Sequence, residues 1–182
     1  MRQNGEGDWV ADAEILKGVV RDHFQHLFTE TDTGEVVTWG HFPQLTADQL
    51  QALLEPFIAG DVHKALKAMA PLKSPGPDCF HAYFFQKYWA LMGSSVCETV
   101  VGVLRGRPMP EGLNDTFISL IPKVNNPQMV TQFRPIGLCN IVYKLITKCV
   151  VQQLKHSLPT LISPLQSSFV PGRQIGDNII IM

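Results

Sequence analysis

The sequence predicts an α+β domain, mostly helical, and three observations carry that reading. Several stretches place apolar residues at helical spacing. Two short β-branched segments, TFISLIPK and FRPIGL, flank a polar loop. The composition, 45% hydrophobic and 17% charged over 182 residues, suits a globular chain with a real core.

The elements follow in order. Ile15, Leu16, Val19, Val20, His23, Phe24, Leu27 and Phe28 form one stripe in VADAEILKGVVRDHFQHLF, which predicts a helix. His23 and His26 have ligand-like spacing but no third ligand nearby, so they are expected to be ordinary helix-surface residues. TETDTGEVVTWGHFP has turn residues and no helical period, so residues 1–45 divide as a helix and linker ahead of a main domain over 46–182. Thr46 is expected to N-cap a short helix, with Gln49 at the capping-box position, Leu50, Leu53 and Leu54 on its apolar face and Pro56 ending it. Asp61 is the expected cap of the next helix, which carries Val62, Ala65, Leu66 and Met69.

KSPGPD, from Lys73 to Asp78, then turns the chain. Each proline fixes its own φ and biases the preceding residue away from helix. Pro75–Gly76 suits the centre of a type II turn, and Asp78 is placed to cap the following helix. Phe80, Phe84, Tyr88 and Leu91 are expected to be core rather than a base-stacking face, Gly93 to mark a break, and SSVCETVVGVLRG to be a further helix. Thr116–Lys123 and FRPIGL pair as a hairpin across NNPQMVTQ. Asn140 N-caps a helix with Ile141, Leu145, Cys149 and Leu154 inward, Pro171–Gly172 makes a turn, and another helix is expected near Asp177.

Charge divides the chain. Residues 1–78 hold six Lys and Arg against twelve carboxylates, a net −6, whereas residues 79–182 hold nine against four, a net +5. A basic second half either meets an anionic partner or folds against the acidic first half. Cys79, Cys97, Cys139 and Cys149 make no CxxC pair and are expected to be reduced intracellular thiols. The start, MRQNGEGDW, has no signal-peptide core, and the longest apolar runs are too short to span a bilayer.

Most sequence signatures of catalysis are absent from this chain. The sequence has no GxxxxGK[ST], no HExxH and no GxSxG. No two acidic residues are adjacent, and Glu98, Glu111, Asp115 and Asp177 are scattered through the basic half. A two-metal site needs carboxylates close enough to share divalent ions, so no catalytic or metal-binding residue is assigned. The expected hairpin does bring two cations to a common loop, Lys123 at the end of one strand and Arg134 at the start of the next. Arg suits bidentate phosphate contacts and Lys supplies a point charge; the alternative is two solvated loop cations.

KSPGPD, FQKYW, FISLIPK, FRPIGLCN, YKLITK and SPLQSSFVPGRQIGDN follow one another at spacings that resemble the amino-terminal part of the reverse transcriptase of LINE-type non-LTR retrotransposons, in the form common in plants. The resemblance covers roughly residues 46–182, and GDWVADAEILKGVVRDHFQHLF is similar to the helix that precedes the polymerase. It implies the partial fingers and early palm of a right-hand polymerase that copies an RNA template from a DNA primer, using Mg²⁺ and deoxynucleoside triphosphates. By that resemblance Lys123, Arg134 and Arg173 contact the nucleotide, while Lys73, Gln166, Phe169 and Gly172 face the template. An intracellular, nuclear setting is implied too.

The departures also carry expectations. The family pattern reads K-A-P-G-P-D-G where this chain has Ser74 and Cys79. Neither the first catalytic aspartate of the family nor its aromatic-x-Asp-Asp turn occurs before Met182, so this chain by itself is expected to be an inactive fragment that binds no Mg²⁺. The alternative is a non-catalytic RNA-binding or dimerising relic of the same domain.

Overall fold

The computed structural model describes residues 2–3, 9–29, 43–163, 166 and 170–174. Chain contacts divide it into two compact units: residues 1–39 with 117–138, and residues 40–116 with 139–182. The linker expected between residues 29 and 43 lies mostly outside the described residues, and the helix expected near Asp177 lies wholly outside them.

In the first unit, β1 (Arg2–Gln3) pairs antiparallel with β2 (Trp9–Val10), with Arg2 opposite Val10 and Gln3 opposite Trp9. Helix α1 spans Ala13–Phe28. The Asp12 carboxylate accepts from the backbone N–H groups of Glu14 and Ile15 at 2.9 and 3.0 Å, closing the helix start. Of its predicted stripe only Phe24 is fully buried, while Ile15, Leu27 and Phe28 stay exposed. Strands β3 (Thr116–Pro122) and β4 (Phe133–Cys139) form a two-stranded sheet. A 3₁₀ turn at Val130–Gln132 precedes β4. The Lys123 N–H donates to the Gln132 carbonyl at 2.8 Å. That bond sets the end of β3 beside the start of β4, as a hairpin requires.

The second unit is helical. Helix α2 is Ala47–Leu54, and its capping box forms as the sequence predicts: Gln49 N–H donates to Thr46 Oγ1 at 3.2 Å and Thr46 N–H to Gln49 Oε1 at 3.1 Å. Helices α3 (Ala59–Lys67), α5 (Trp89–Leu104) and α6 (Ile141–Leu154) pack on one another, with the short α4 (Ala82–Lys87) against α3 and α5. Val62, Ala65, Leu66 and Met69 meet Ala82 and Phe85, Val96, Cys97 and Val100, and Ile141, Leu145, Ile146 and Cys149 in one apolar cluster. Helix α7 (Leu158–Leu161) follows α6.

Four local expectations are corrected here. Asp61 does not sit at the cap: α3 begins two residues earlier, and the Asp61 carboxylate reaches back to accept from Ile58 N–H at 3.0 Å. Asp78 does not cap a helix either, because α4 starts at Ala82 and the Asp78 carboxylate instead accepts from Phe80 N–H at 3.1 Å. The helix break falls at Tyr88 rather than Gly93. Helix α5 runs through Gly93, and the glycine serves packing instead: the Trp89 indole lies over that position, where a Cβ would collide with it. The aromatic face is out of phase with most of the expected core: Phe80, Tyr88 and Leu91 are exposed, Phe84 packs partly buried against the core, and Phe85 is the ring that is fully buried. Phe80, Phe84, Phe85 and Tyr88 still pack as a ring cluster, with successive centroids 4.7 to 6.1 Å apart.

Helix α5 ends in a Schellman motif. Gly106 takes φ +93°, Arg107 N–H donates to Gly102 O at 3.0 Å and Gly106 N–H to Val103 O at 2.9 Å. The carbonyl ends of α2 and α3 are closed by remote side chains. Gln153 Nε2 donates to Ala52 and Glu55 carbonyls at 3.2 and 2.8 Å. Gln86 Nε2 donates to those of Leu66 and Met69, both at 3.0 Å. Helix ends leave such carbonyls orphaned, so these amides do structural work that no helical period announces.

Candidate nucleic-acid interface

The KSPGPD corner is held from every side within the second unit. The Lys73 carbonyl lies 3.0 Å from His81 Nδ1, and the Ser74 carbonyl accepts from Lys144 Nζ at 2.9 Å. The Gly76 carbonyl accepts from Cys79 N–H at 3.0 Å. That last bond shifts the expected turn by two residues. Its central residues are Pro77 and Asp78, not Pro75 and Gly76, and Gly76 has no positive φ. Gly76 is needed for a different reason. A Cβ there would overlap the backbone of Cys139 and Asn140 and the Asn140 side-chain oxygen. The left-handed residue is Cys79, with φ +61°. It stands where the resembled pattern has glycine.

Asn140 is the partner that this close approach serves. It is 6% exposed, and its side chain does not cap α6. Its Oδ1 accepts from Asp78 N–H at 3.1 Å, while Nδ2 donates to the Gly112 and Leu113 carbonyls at 3.2 and 3.3 Å. One buried amide thus joins the corner, the 112–113 turn and the start of α6. It satisfies its own donors and acceptor in doing so.

Lysines cluster around this frame. Lys73 is exposed. Lys144 is partly buried, and desolvation holds its ammonium below the ordinary lysine range; Cys139 and Asp78 oppose that shift and the Lys73 charge adds to it. Lys148, one turn further along α6, donates to the Ala68 carbonyl at 3.3 Å. The corner therefore presents Lys73 from a rigid base with a second cation beside it. Sequence reasoning found Lys73 but missed Lys144, Lys148 and the role of Asn140. The only available signal for Asn140 was an amide directly ahead of a helix, which reads as a cap.

The hairpin cations belong to the first unit. Lys123 is exposed, and its Nζ donates to the Thr131 carbonyl at 2.8 Å, which ties the ammonium across the 123–132 loop. Arg134 is exposed, and its guanidinium has no hydrogen-bond or ion-pair partner among the described residues. An apolar groove of about 840 Å³ opens between α1 and β3, lined by Leu16, Val20, Phe24, Phe28, Ile118 and Leu120 among others. Neither Lys123 nor Arg134 lines it.

The remaining expected contacts fall near the end of the second unit. Gly172 has φ +80° in the Pro171–Gly172 turn, and Arg173 directs both terminal nitrogens at backbone carbonyls of the preceding segment. Gln166 supplies one of those carbonyls; Phe169 lies outside the described residues. Lys123 and Arg134 thus share the hairpin, and Lys73, Gln166, Gly172 and Arg173 belong to the other unit. Among the described residues no three His, Cys, Asp or Glu side chains gather as metal ligands, and no helix is long and apolar enough to cross a membrane.

No family model matches the sequence. The chain is similar to the Transposon TX1 uncharacterized 149 kDa protein of Xenopus laevis, at 28% identity over 181 residues. The match covers 97% of this chain and 14% of that protein, so the chain spans about a seventh of its relative's length. What the comparison supports is likeness, along nearly the whole of this chain, to one stretch of a transposon protein.

Proposed function

We propose that this chain is a transposon-derived fragment of an RNA-directed DNA polymerase, of the LINE-type non-LTR class, that contacts nucleic acid and nucleotide without catalysing synthesis. In this reading the hairpin supplies fingertip cations, Lys123 and Arg134, for the triphosphate of an incoming deoxynucleotide. The corner with Lys73 and the segment with Gln166, Phe169 and Gly172 face the RNA template and its DNA primer. The fold is part of a fingers domain with the first palm elements. In this reading Mg²⁺ belongs to the complete enzyme; no two acidic residues of this sequence are adjacent, and among the described residues no three His, Cys, Asp or Glu side chains gather as metal ligands. A nuclear location goes with this reading.

The observation that carries the proposal is the pairing of the ordered motif series with the transposon relative, joined to an exposed Arg134 that has no partner among the described residues, on the same hairpin as a tethered Lys123. A guanidinium with no partner among the described residues is available to a phosphate, and phosphate contacts make affinity salt-dependent. The test is RNA binding by the purified chain at two or more salt concentrations. Wild type is expected to bind a single-stranded RNA weakly and with salt sensitivity, and the Lys123→Ala/Arg134→Ala double variant to lose most of that binding. Equal binding by the two proteins would sink the fingertip assignment. No Mg²⁺-dependent primer extension is expected from either, and nucleotide incorporation by the wild-type chain would refute its inactivity.

A further inference from the structure

We propose that Arg173 is a positioning residue. Its guanidinium is a clasp that ties together the backbone carbonyls of Pro159, Ile162, Ser163 and Gln166, and it acts on the template-facing Gln166 through that carbonyl, not on phosphate itself. The part concerning Gln166 rests on the nucleic-acid reading above; the clasp does not.

The geometry is specific. Arg173 Nη1 donates to the carbonyls of Ser163 at 2.5 Å and Gln166 at 2.8 Å, and Nη2 donates to those of Pro159 and Ile162, both at 3.0 Å. Helix α7 has only four residues, so it cannot satisfy its own terminal carbonyls. Its Leu158 carbonyl takes the Ile162 N–H at 2.9 Å, and the arginine takes the Pro159 carbonyl and, past the helix, those of Ile162, Ser163 and Gln166. A guanidinium does this because its donors project in a fixed planar fork; an ammonium has three donors on one atom and cannot span four carbonyls.

The chain is shaped to deliver the fork. Val170 is buried and anchors the return, Pro171 and Gly172 occupy the centre of the turn, and Arg173 N–H closes it on the Val170 carbonyl at 3.3 Å. Gly172 at φ +80° is the residue this turn requires at its third position. The start of α7 is equally fixed. Ser157 is 1% exposed, and its carbonyl accepts from the N–H groups of Thr160 and Leu161, both at 3.1 Å. Binding a phosphate with the two terminal nitrogens would first break four charge-assisted bonds.

The test compares wild type with Arg173→Lys and Arg173→Ala in the full 182-residue chain. Hydrogen exchange is read on peptides covering Pro159 to Ser163, and binding of a single-stranded RNA oligonucleotide is read across a salt series. The clasp predicts that both variants exchange about tenfold faster or more in those peptides. It also predicts that both weaken RNA binding equally, with the slope of log affinity against log salt unchanged. Three outcomes overturn it: Arg173→Lys behaving like wild type, exchange that does not change, or a salt slope reduced by about one in Arg173→Ala, which marks a lost phosphate contact. If wild type binds no RNA, the template reading of Gln166 fails while the exchange measurement still decides the clasp. Gly172→Ala keeps the arginine but strains its turn. It is expected to loosen the same peptides, and it decides the matter if the Arg173 variants do not fold.

Discussion

Gly76 and Cys79 sit three residues apart and have the opposite relation to their backbones. Gly76 adopts an ordinary φ and is confined by the neighbours its missing side chain admits, whereas Cys79 carries a side chain at φ +61°, where most L-residues are strained. Gly76→Ala should therefore push Asn140 from its three hydrogen bonds and destabilise the second unit by about 2–4 kcal/mol, from overpacking and an unsatisfied buried amide. Cys79→Gly should remove the left-handed penalty and stabilise by roughly 1 kcal/mol. Urea unfolding of the two variants beside wild type measures both. Destabilisation by Cys79→Gly, or tolerance of Gly76→Ala, would show that the corner is not built as described. The sequence made the corner legible as a rigid turn. It did not show which residue needed to be glycine for space, because the crowding atoms come from Cys139 and Asn140, more than sixty residues away.

At the scale of elements, the capped helices and the hairpin were readable because their signals are local. Thr46 and Gln49 answer each other within one turn, and β3 and β4 are short β-branched runs either side of a polar loop. The Tyr88 break was not readable. Gly93 looks like the weak point until Trp89 is seen lying over it, and Gln86, Gln153 and Asn140 act across long sequence separations with no periodic mark.

The α5–α6 contact adds a pH dependence. Burial, with Asp61 and then Cys97 reinforcing it, pushes the Cys149 thiol from 9.0 up to about 11, and burial raises Cys97 as well. Below pH 9 both folded and unfolded chains keep these protons, so the full contribution is present. Between pH 9 and 11 the unfolded thiol ionises while the folded one does not, so stability falls as pH rises. The loss from Cys149 is on the order of 2 kcal/mol. Chemical denaturation at pH 8, 9.5 and 11 should show it, and Cys149→Ala should show less of it. In the folded protein a thiol reagent should modify the exposed Cys79 well before Cys97 or Cys149.

At the scale of the whole molecule, the two kinds of polar contact do different jobs. The ion pairs found among the described residues, Lys17–Glu14, Arg21–Asp22 and Arg107–Glu98, are all exposed and lie within local stretches of chain. Such pairs contribute little to stability. The links that join distant parts of the second unit are donors on carbonyls: Asn140 to Gly112 and Leu113, Gln86 to Leu66 and Met69, Gln153 to Ala52 and Glu55, and Lys144 to Ser74. The division of charge between the two halves of the sequence is thus not converted into ion pairs between them among these residues.

Carbonyl-directed bonding makes the architecture indifferent to dissolved ions, whereas adhesion to a polyanion is governed by them. Raising sodium chloride from 50 mM to 500 mM should leave the thermal transition of the protein nearly where it was while releasing any bound RNA. A transition that shifted in step with the release would mean that the fold itself leans on screened charges. If the two part company, salt becomes a solvent knob that empties the surface without disturbing the scaffold. The carbonyl-seeking amides and lysines would then make this chain a clean platform on which to titrate electrostatic contacts one at a time.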